Sequence, residues 1–343
     1  MTWYGPELDP ENRDLRELVK KYQLDHDVRP ADSNTRQIGW LRDGLVRTGL
    51  WTMGAEERHG GGGASPESAL VVIEQLARAW PALAWASVQT QAAVDVLGAT
   101  AEVDWLVSRL HDGTAAVAVV DEDKQRSPLV QERPAVLRGT IDRIDPASAQ
   151  PHVLVLRAQE DAVLVSPQGL HVHSLAERTG MGGACTMRCS IDTVEGQVWT
   201  LAGVDTAAVR ARIRIGGAAV ACGIASAALD VARIYSAARE QFGAPLNELP
   251  TVRSTLQHTA GQVSVLAHSL FGAAAGGRSL LQGLLAHGCE VAIDAAAMAV
   301  QAHGGYGYLT EYVPERLLRD AISMRAAASP WFMPGDLPDE YWR

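Results

Sequence analysis

The period of the hydrophobic pattern changes twice along the chain, and only a layered arrangement of separate helical and β-type regions accommodates both changes. From Pro10 to about Asp112 apolar residues recur every three to four positions. The stretch ESALVVIEQLAR at 67–78 is the clearest, with Glu74 and Arg78 spaced to pair on its outer face. Ser65 followed by Pro66 reads as an N-cap and a first-turn proline. From Gly113 to about Val204 the texture becomes short β-type runs: AVAVV (116–120), HVLVL (152–156), AVLVS (162–166), LHVHS (170–174) and QVWTL (197–201). Gly139, Asp145-Pro146, Pro167-Gln168-Gly169 and Gly180 to Gly183 supply turns between them, which suits an antiparallel sheet or small barrel. From Ala207 to about Ala328 the pattern is helical again and rich in small residues. Gly216, Gly217, Ala221, Gly223 and Ala225 let neighbouring helices approach closely. The expected fold class is α+β and multidomain: an N-terminal helical domain (1–112), a central antiparallel β-domain (113–204) and a C-terminal helical bundle (205–343).

Charge narrows the partners. Forty acids against thirty bases leave a net charge of −10, which works against nucleic-acid binding. An anionic ligand must then be held by a local set of donors. The four cysteines, Cys185, Cys189, Cys222 and Cys289, read as free buried thiols and not as a disulfide scaffold. Met1 to Pro6 lacks the basic and apolar regions of a signal peptide, and no uninterrupted apolar run reaches membrane-spanning length. The expectation is a soluble, cytoplasmic protein with no membrane partner. The tract His59-Gly60-Gly61-Gly62-Gly63 has no Lys-Ser/Thr after it and no strand before it, so it reads as a flexible connector between helices, not a phosphate loop. His171 and His173 share one face of a strand, but no third ligand is in sight, and no metal is expected.

Three motifs lie in register over positions 239–321. Arg239-Glu240-Gln241-Phe242-Gly243-Ala244-Pro245 closes one long helix. Gln301-Ala302-His303-Gly304-Gly305-Tyr306-Gly307 ends another. Glu311-Tyr312-Val313-Pro314-Glu315-Arg316-Leu317-Leu318-Arg319-Asp320-Ala321 follows. Together they resemble the R-x-Q-F-G-x-P, Q-x-x-G-G-x-G and E-Y-x-x-E-R-x-x-R-D-A motifs of the acyl-CoA dehydrogenases. Val72 to Ala84 resembles that family's N-terminal helices, Trp105 to Gly113 its passage into the β-domain, and Thr179 to Gly183 its R-x-x-G-x-R-G turn. The resemblance implies FAD bound at subunit contacts and α,β-dehydrogenation of an acyl-CoA thioester. A carboxylate takes the α-proton while flavin accepts the β-hydride. By the same resemblance Arg239 reaches the FAD diphosphate, Phe242 lies beside it, and Gln301, Gly304 and Gly305 form the turn that meets the dinucleotide, often across the subunit contact. Arg214 matches a substrate-binding arginine.

Catalytic residues are the conspicuous loss. The two positions at which the family carries its base hold Ala328 and Ile213, and neither supplies a carboxylate. The aspartate that usually lies three residues before Arg214 is Ala211. Where the family has its flavin-gripping T-E-x-x-x-G-S-D, this chain reads Asp121-Glu122-Asp123-Lys124-Gln125-Arg126. A buried flavin ring would meet uncompensated carboxylates there, and Glu122 itself reads as part of a solvated turn. The β-domain is shortened, and the sequence ends at Trp342-Arg343 where the family continues with a further helix.

These features support an acyl-CoA dehydrogenase-like subunit without its own base, working in a heteromeric complex with a shared FAD site. The alternatives are a stand-alone flavoenzyme of the same fold with rerouted chemistry, such as a monooxygenase, and a flavin-free binding protein. Assembly through the C-terminal bundle into dimers or tetramers is expected from the small-residue helix at 207–238 and the interface motifs. If a base exists in this chain, Glu122 and Glu311 are the remaining carboxylates.

Overall fold

The computed structural model describes residues 2–26, 35–124, 129–133, 136–157, 161–175, 179–276 and 283–332. Helices α1 (Pro10–Asp25), α2 (Thr35–Arg47), α3 (Pro66–Ala77), α4 (Pro81–Leu97) and α5 (Trp105–His111) open the chain. Strands β1 (Val117–Asp121), β2 (Val130–Arg133), β3 (Val136–Ile144), β4 (His152–Leu156), β5 (Asp161–Val165), β6 (Leu170–Leu175), β7 (Met187–Asp192) and β8 (Val198–Ala202) follow. The C-terminal part holds α6 (Thr206–Ala238), the hairpin β9 (Glu240–Gln241) and β10 (Ala244–Pro245), then α7 (Pro250–Ala274), α8 (Leu284–His303) and α9 (Val313–Ala328). The α3 start is the one its sequence announces: Ser65 accepts a hydrogen bond from Ser68 N at 3.1 Å, with Pro66 in the first turn.

The strands form two four-stranded sheets instead of one sheet or a barrel, in the orders β1-β4-β5-β8 and β2-β3-β7-β6. All pairings are antiparallel except β1 with β4, which run parallel. Gly139 lies inside β3, not at a turn. The first sheet is covered on both faces. Val117, Val119, Leu154, Leu156, Leu164 and Leu201 join the helical core. Ala118, Val120, Val153, Val155, Val163 and Val165 pack against Leu137, Ile141, Met187 and Ile191 of the second sheet. A strand with both faces buried reads as a continuous apolar run, as 116–120 and 152–156 do.

Helix α6 is the axis of the helical body, flanked by α3, α4, α7, α8 and α9. Its glycines are needed within the chain. A Cβ on Gly216 would stand 2.5 Å from Val88 Cγ1, and one on Gly223 would stand 2.3 Å from the Glu74 backbone oxygen. The small-residue face is therefore consumed internally and is not a surface left over for assembly. By length and composition α6 and the stretch Leu284–Tyr306 would each cross a membrane, but 89% of the α6 window is buried inside the protein.

Two readings are corrected by the structure. Glu74 and Arg78 do pair, at 2.8 Å, yet they are 1% and 2% exposed. Arg78 also holds Asp230 of α6 at 3.0 Å and donates to the Thr2 carbonyl at 2.9 Å. Tyr4 donates to the same Asp230 at 2.9 Å, so the N-terminal segment is fastened to α6 through a buried ionic cluster. The glycine tract is no loose connector either. Gly63 N donates to Ala55 O at 3.0 Å and Ala64 N to Met53 O at 2.9 Å. A Cβ on Gly61 would stand 2.2 Å from Ala55 O, so close backbone approach is what requires glycine.

Candidate functional site: an open cleft and a filled pocket

The ends of α6 and α8 and the start of α7 enclose a cleft of about 520 Å3. Arg239, Gln301, Gly304 and Gly305, separated by up to 66 positions in sequence, line it together. Arg239 terminates α6, its amide donating to Tyr235 O at 2.9 Å, and its side chain is exposed. Among the described residues its guanidinium has no hydrogen-bonding or ionic partner. Gly304 ends α8 at φ 56° and ψ −134°, a conformation that belongs to glycine. A Cβ at Gly304 or Gly305 would meet nothing within 4 Å, so the pair opens space over the cleft instead of packing. Gly307, by contrast, is packed: its Cβ would stand 2.2 Å from Val300 O.

Sequence reasoning missed the floor of this cleft. His303 stacks on Tyr235 with ring centroids 3.9 Å apart and an interplanar angle of 24°. Its Nδ1 lies 2.7 Å from Ala299 O, which makes Nδ1 the protonated nitrogen and leaves Nε2 as an acceptor. Burial lowers the imidazole pKa below its ordinary value. His303 sits inside the Q-x-x-G-G motif, which was the available signal.

Phe242 is not brought into the cleft. With Gly243 it forms the two-residue turn between β9 and β10, both at positive φ (57° and 82°), as a type I′ hairpin turn requires. An aromatic residue in that conformation is unusual. The turn points the ring away from the protein, 91% exposed.

Towards the N-terminal end of α6, the positions of the missing base lie in packed protein. Ile213 and Ala328 are both fully buried. Arg214 donates from Nε to the Trp331 backbone oxygen at 3.3 Å. Among the described residues a space of about 20 Å3 lies nearby, lined by Trp85, Gln89, Asp121, Arg143, Asp145 and Trp331. Trp331 is 4% exposed. The polar groups there satisfy one another. Arg210 clamps Asp121 at 2.8 and 3.1 Å. Arg143 holds Asp145 at 2.6 Å and the Ser323 carbonyl at 3.2 Å. Gln89 bridges Asp145 O and Val119 N at 3.0 and 3.1 Å.

The acidic run therefore excludes a ring for a different reason than the sequence suggests: Asp121 is compensated by Arg210, and space is what is lacking. Glu122 is half-buried and paired with Arg157 at 3.3 Å, not solvated, and burial raises its pKa. Glu311 is exposed in a turn. Neither lines the pocket. Gln125, Arg126 and the terminal Trp342-Arg343 lie outside the described residues.

The third motif works structurally. Asp320 is buried and accepts from Met181 N at 2.6 Å. A Cβ on Gly180 would stand 2.1 Å from Arg319 O. Thr179 to Gly183 is thus clamped onto α9. His171 and His173 are both exposed on β6. Cys185 is half-buried and the other three cysteines are buried, all free.

Residues 9–102 match the model for the acyl-CoA dehydrogenase N-terminal domain, and residues 208–328 match that for the acyl-CoA dehydrogenase C-terminal domain. The chain belongs to the acyl-CoA dehydrogenase family. It is 28% identical to the (2S)-methylsuccinyl-CoA dehydrogenase of Cereibacter sphaeroides over 93% of this chain and 67% of that protein. A probable acyl-CoA dehydrogenase of Bacillus subtilis, YngJ, is 31% identical over 46% of this chain and 44% of its own length. The chain thus spans under half of that relative. Among solved structures, butyryl-CoA dehydrogenase of Megasphaera elsdenii superposes with a TM-score of 0.76 at 22% identity, covering 95% of each chain. The fold is that of the family: N-terminal helices, a central β-region and a C-terminal bundle. Family membership implies FAD.

The residues divide that implication in two. Small-molecule sites run to about 300–1,000 Å3, so the cleft, with its unpaired Arg239 and open glycine pair, fits the nucleotide portion of a dinucleotide. The 20 Å3 pocket beside Trp331 does not fit a flavin ring.

Proposed function

We propose that this chain is the base-less subunit of a heteromeric acyl-CoA dehydrogenase, carrying a share of an FAD site whose ring-binding part and carboxylate base come from another subunit. The observation that carries the reading is the contrast between the open cleft at Arg239 and the pocket filled by Trp331. In the complex, Arg239 would hold the diphosphate through its forked donors, and Gln301, Gly304 and Gly305 would let it approach the backbone. Phe242 would reach across the contact from its hairpin. The cofactor supplies hydride acceptance when bound. This chain's part is to bind and orient, since Ile213 and Ala328 hold no proton and Arg214 is engaged with Trp331. An acyl-CoA thioester is the expected substrate of the complex, not of this chain alone. The reading includes a cytoplasmic setting and domain divisions at 112/113 and 204/205.

The test is co-expression with a complete acyl-CoA dehydrogenase-like subunit, followed by FAD quantification. The isolated chain should purify colourless and show no dehydrogenase turnover with an artificial acceptor. The complex should hold FAD, and Arg239→Ala should weaken its retention at least tenfold. One FAD bound by the chain alone, or turnover matching ordinary family members, would overturn the reading in favour of a stand-alone flavoenzyme.

A further inference from the structure

A second cavity, of about 270 Å3, lies between α3, α4, α6 and the end of α7. It belongs neither to the cleft nor to the filled pocket. On α6 it is lined by Ala211, Arg212, Ile215 and Gly216, whereas Ile213 and Arg214 turn to other faces. The contact of Gly216 with Val88 seals its inner end. Gly54 and Ala64, which flank the glycine tract and are held by the backbone bonds around residues 53–64, both line its wall. Pro66 is exposed and Ala69, Arg212 and Ala274 are half-buried, so the cavity has a mouth at the surface.

Its chemistry is one-sided. No aromatic ring lines it, and Leu70, Ile73, Val88 and Ile215 supply an aliphatic wall. Gln91 is spent internally: its Oε1 accepts from Gly54 N at 3.1 Å and its Nε2 donates to Ser87 Oγ at 3.0 Å. That leaves Arg212 as the polar group available to a ligand. A guanidinium has five N–H donors, and among the described residues its one ionic partner is Asp95, at 3.0 Å. Asp95 in turn accepts from Glu56 N at 3.0 Å, fixing the rim. Burial raises the pKa of Asp95, in keeping with a rim partly withdrawn from water.

We propose that this cavity binds an unbranched aliphatic chain with its carboxylate head at Arg212: a free medium-chain fatty acid, at a site separate from the cofactor cleft. An apolar cavity of about 150 Å3 accepts benzene, and at roughly 30 Å3 per water-sized group this one takes a chain of about eight to ten carbons. The remaining Arg212 donors meet the head, while the aliphatic wall takes the tail.

Decanoate and decanol, titrated into the purified full chain by calorimetry, test the site. Wild type should bind decanoate saturably, one per chain, and decanol more weakly. Arg212→Gln should weaken decanoate at least fivefold and leave decanol unchanged, which separates head from tail. Ala69→Leu, which fills the cavity from α3, should weaken both at least tenfold without lowering the melting temperature. Ala273→Leu fills it from α7 and serves if the first variant misfolds. No saturable binding by wild type, or unchanged binding in both filled variants, overturns the proposal. None of these measurements depends on FAD or on a second subunit, so the shared-site reading stands or falls separately.

Discussion

Arg214 Nε and the backbone oxygen of Trp331 lie 3.3 Å apart, and this bond joins α6 to the segment just after α9. An arginine that the family resemblance assigns to substrate is here part of a closure. Trp331 beside it is fully packed. Replacing it with alanine should cost about 3–5 kcal/mol, the usual range for deleting a buried aromatic side chain. Urea unfolding measures this. A loss under 1 kcal/mol would mean the indole is not packed as described.

The buried cluster at the N-terminus makes a second prediction. Arg78→Leu leaves Glu74 and Asp230 buried without their cation. Breaking a buried pair from one side costs about 3–5 kcal/mol. The doubly altered Arg78→Leu, Glu74→Leu chain should recover part of that loss. Calorimetric melting of the three proteins checks the order.

Acid sensitivity should trace to His152. Burial beneath Trp105 and the neighbouring Arg109 push its pKa down to about 4. The unfolded imidazole titrates near 6.5, so its contribution is fully present above that pH and is lost as the pH falls towards 4. The loss should approach about 3 kcal/mol. His152→Gln should flatten the stability profile over this window, and the ring's NMR titration should give the depressed value directly.

Asp320 should act in the opposite sense. Burial raises its carboxyl pKa against the pull of Arg316 and the Met181 amide. With the folded value above the unfolded one, its contribution is greatest in acid and declines as pH rises through the folded pKa. Asp320→Asn keeps an acceptor for Met181 N and should remove that decline. An unchanged pH profile in the variant would assign the effect elsewhere.

Under the shared-site proposal, Phe242 bears on assembly. Asparagine tolerates positive φ better than phenylalanine, so Phe242→Asn should leave the melting temperature equal or slightly raised. In the proposed complex with a second subunit the same change should weaken association and FAD retention. Light scattering and flavin content measure the two effects.

Much of this was legible beforehand. The runs at 152–156 and 162–166 became β4 and β5 because both their faces are buried, and continuous apolar runs announce that. Strands β3 and β7 were missed because their outward positions carry Arg138, Asp142 and Arg188, and Gly139 looked like punctuation. The parallel pairing of β1 with β4 joins segments about 35 positions apart and leaves no local mark. In the cleft, Arg239, Gln301, Gly304 and Gly305 were found through motifs and do converge. The filled pocket was not legible. Its closure depends on how α9, β3 and α4 meet, and an absent glutamate says nothing about which residue takes the space.

The sheet β1-β4-β5-β8 is a partition with a tenant on each side. Val119 answers to the helical body and its neighbour Val120 to the outer sheet. Successive letters of one short strand are therefore tuned to different surroundings, and a change that suits one side is invisible to the other. Inserting or deleting a single residue in β1 would exchange the two sets at once and disturb both cores together. The strands of the outer sheet face the partition from one side only, so a change at an outward position such as Arg138 touches neither core.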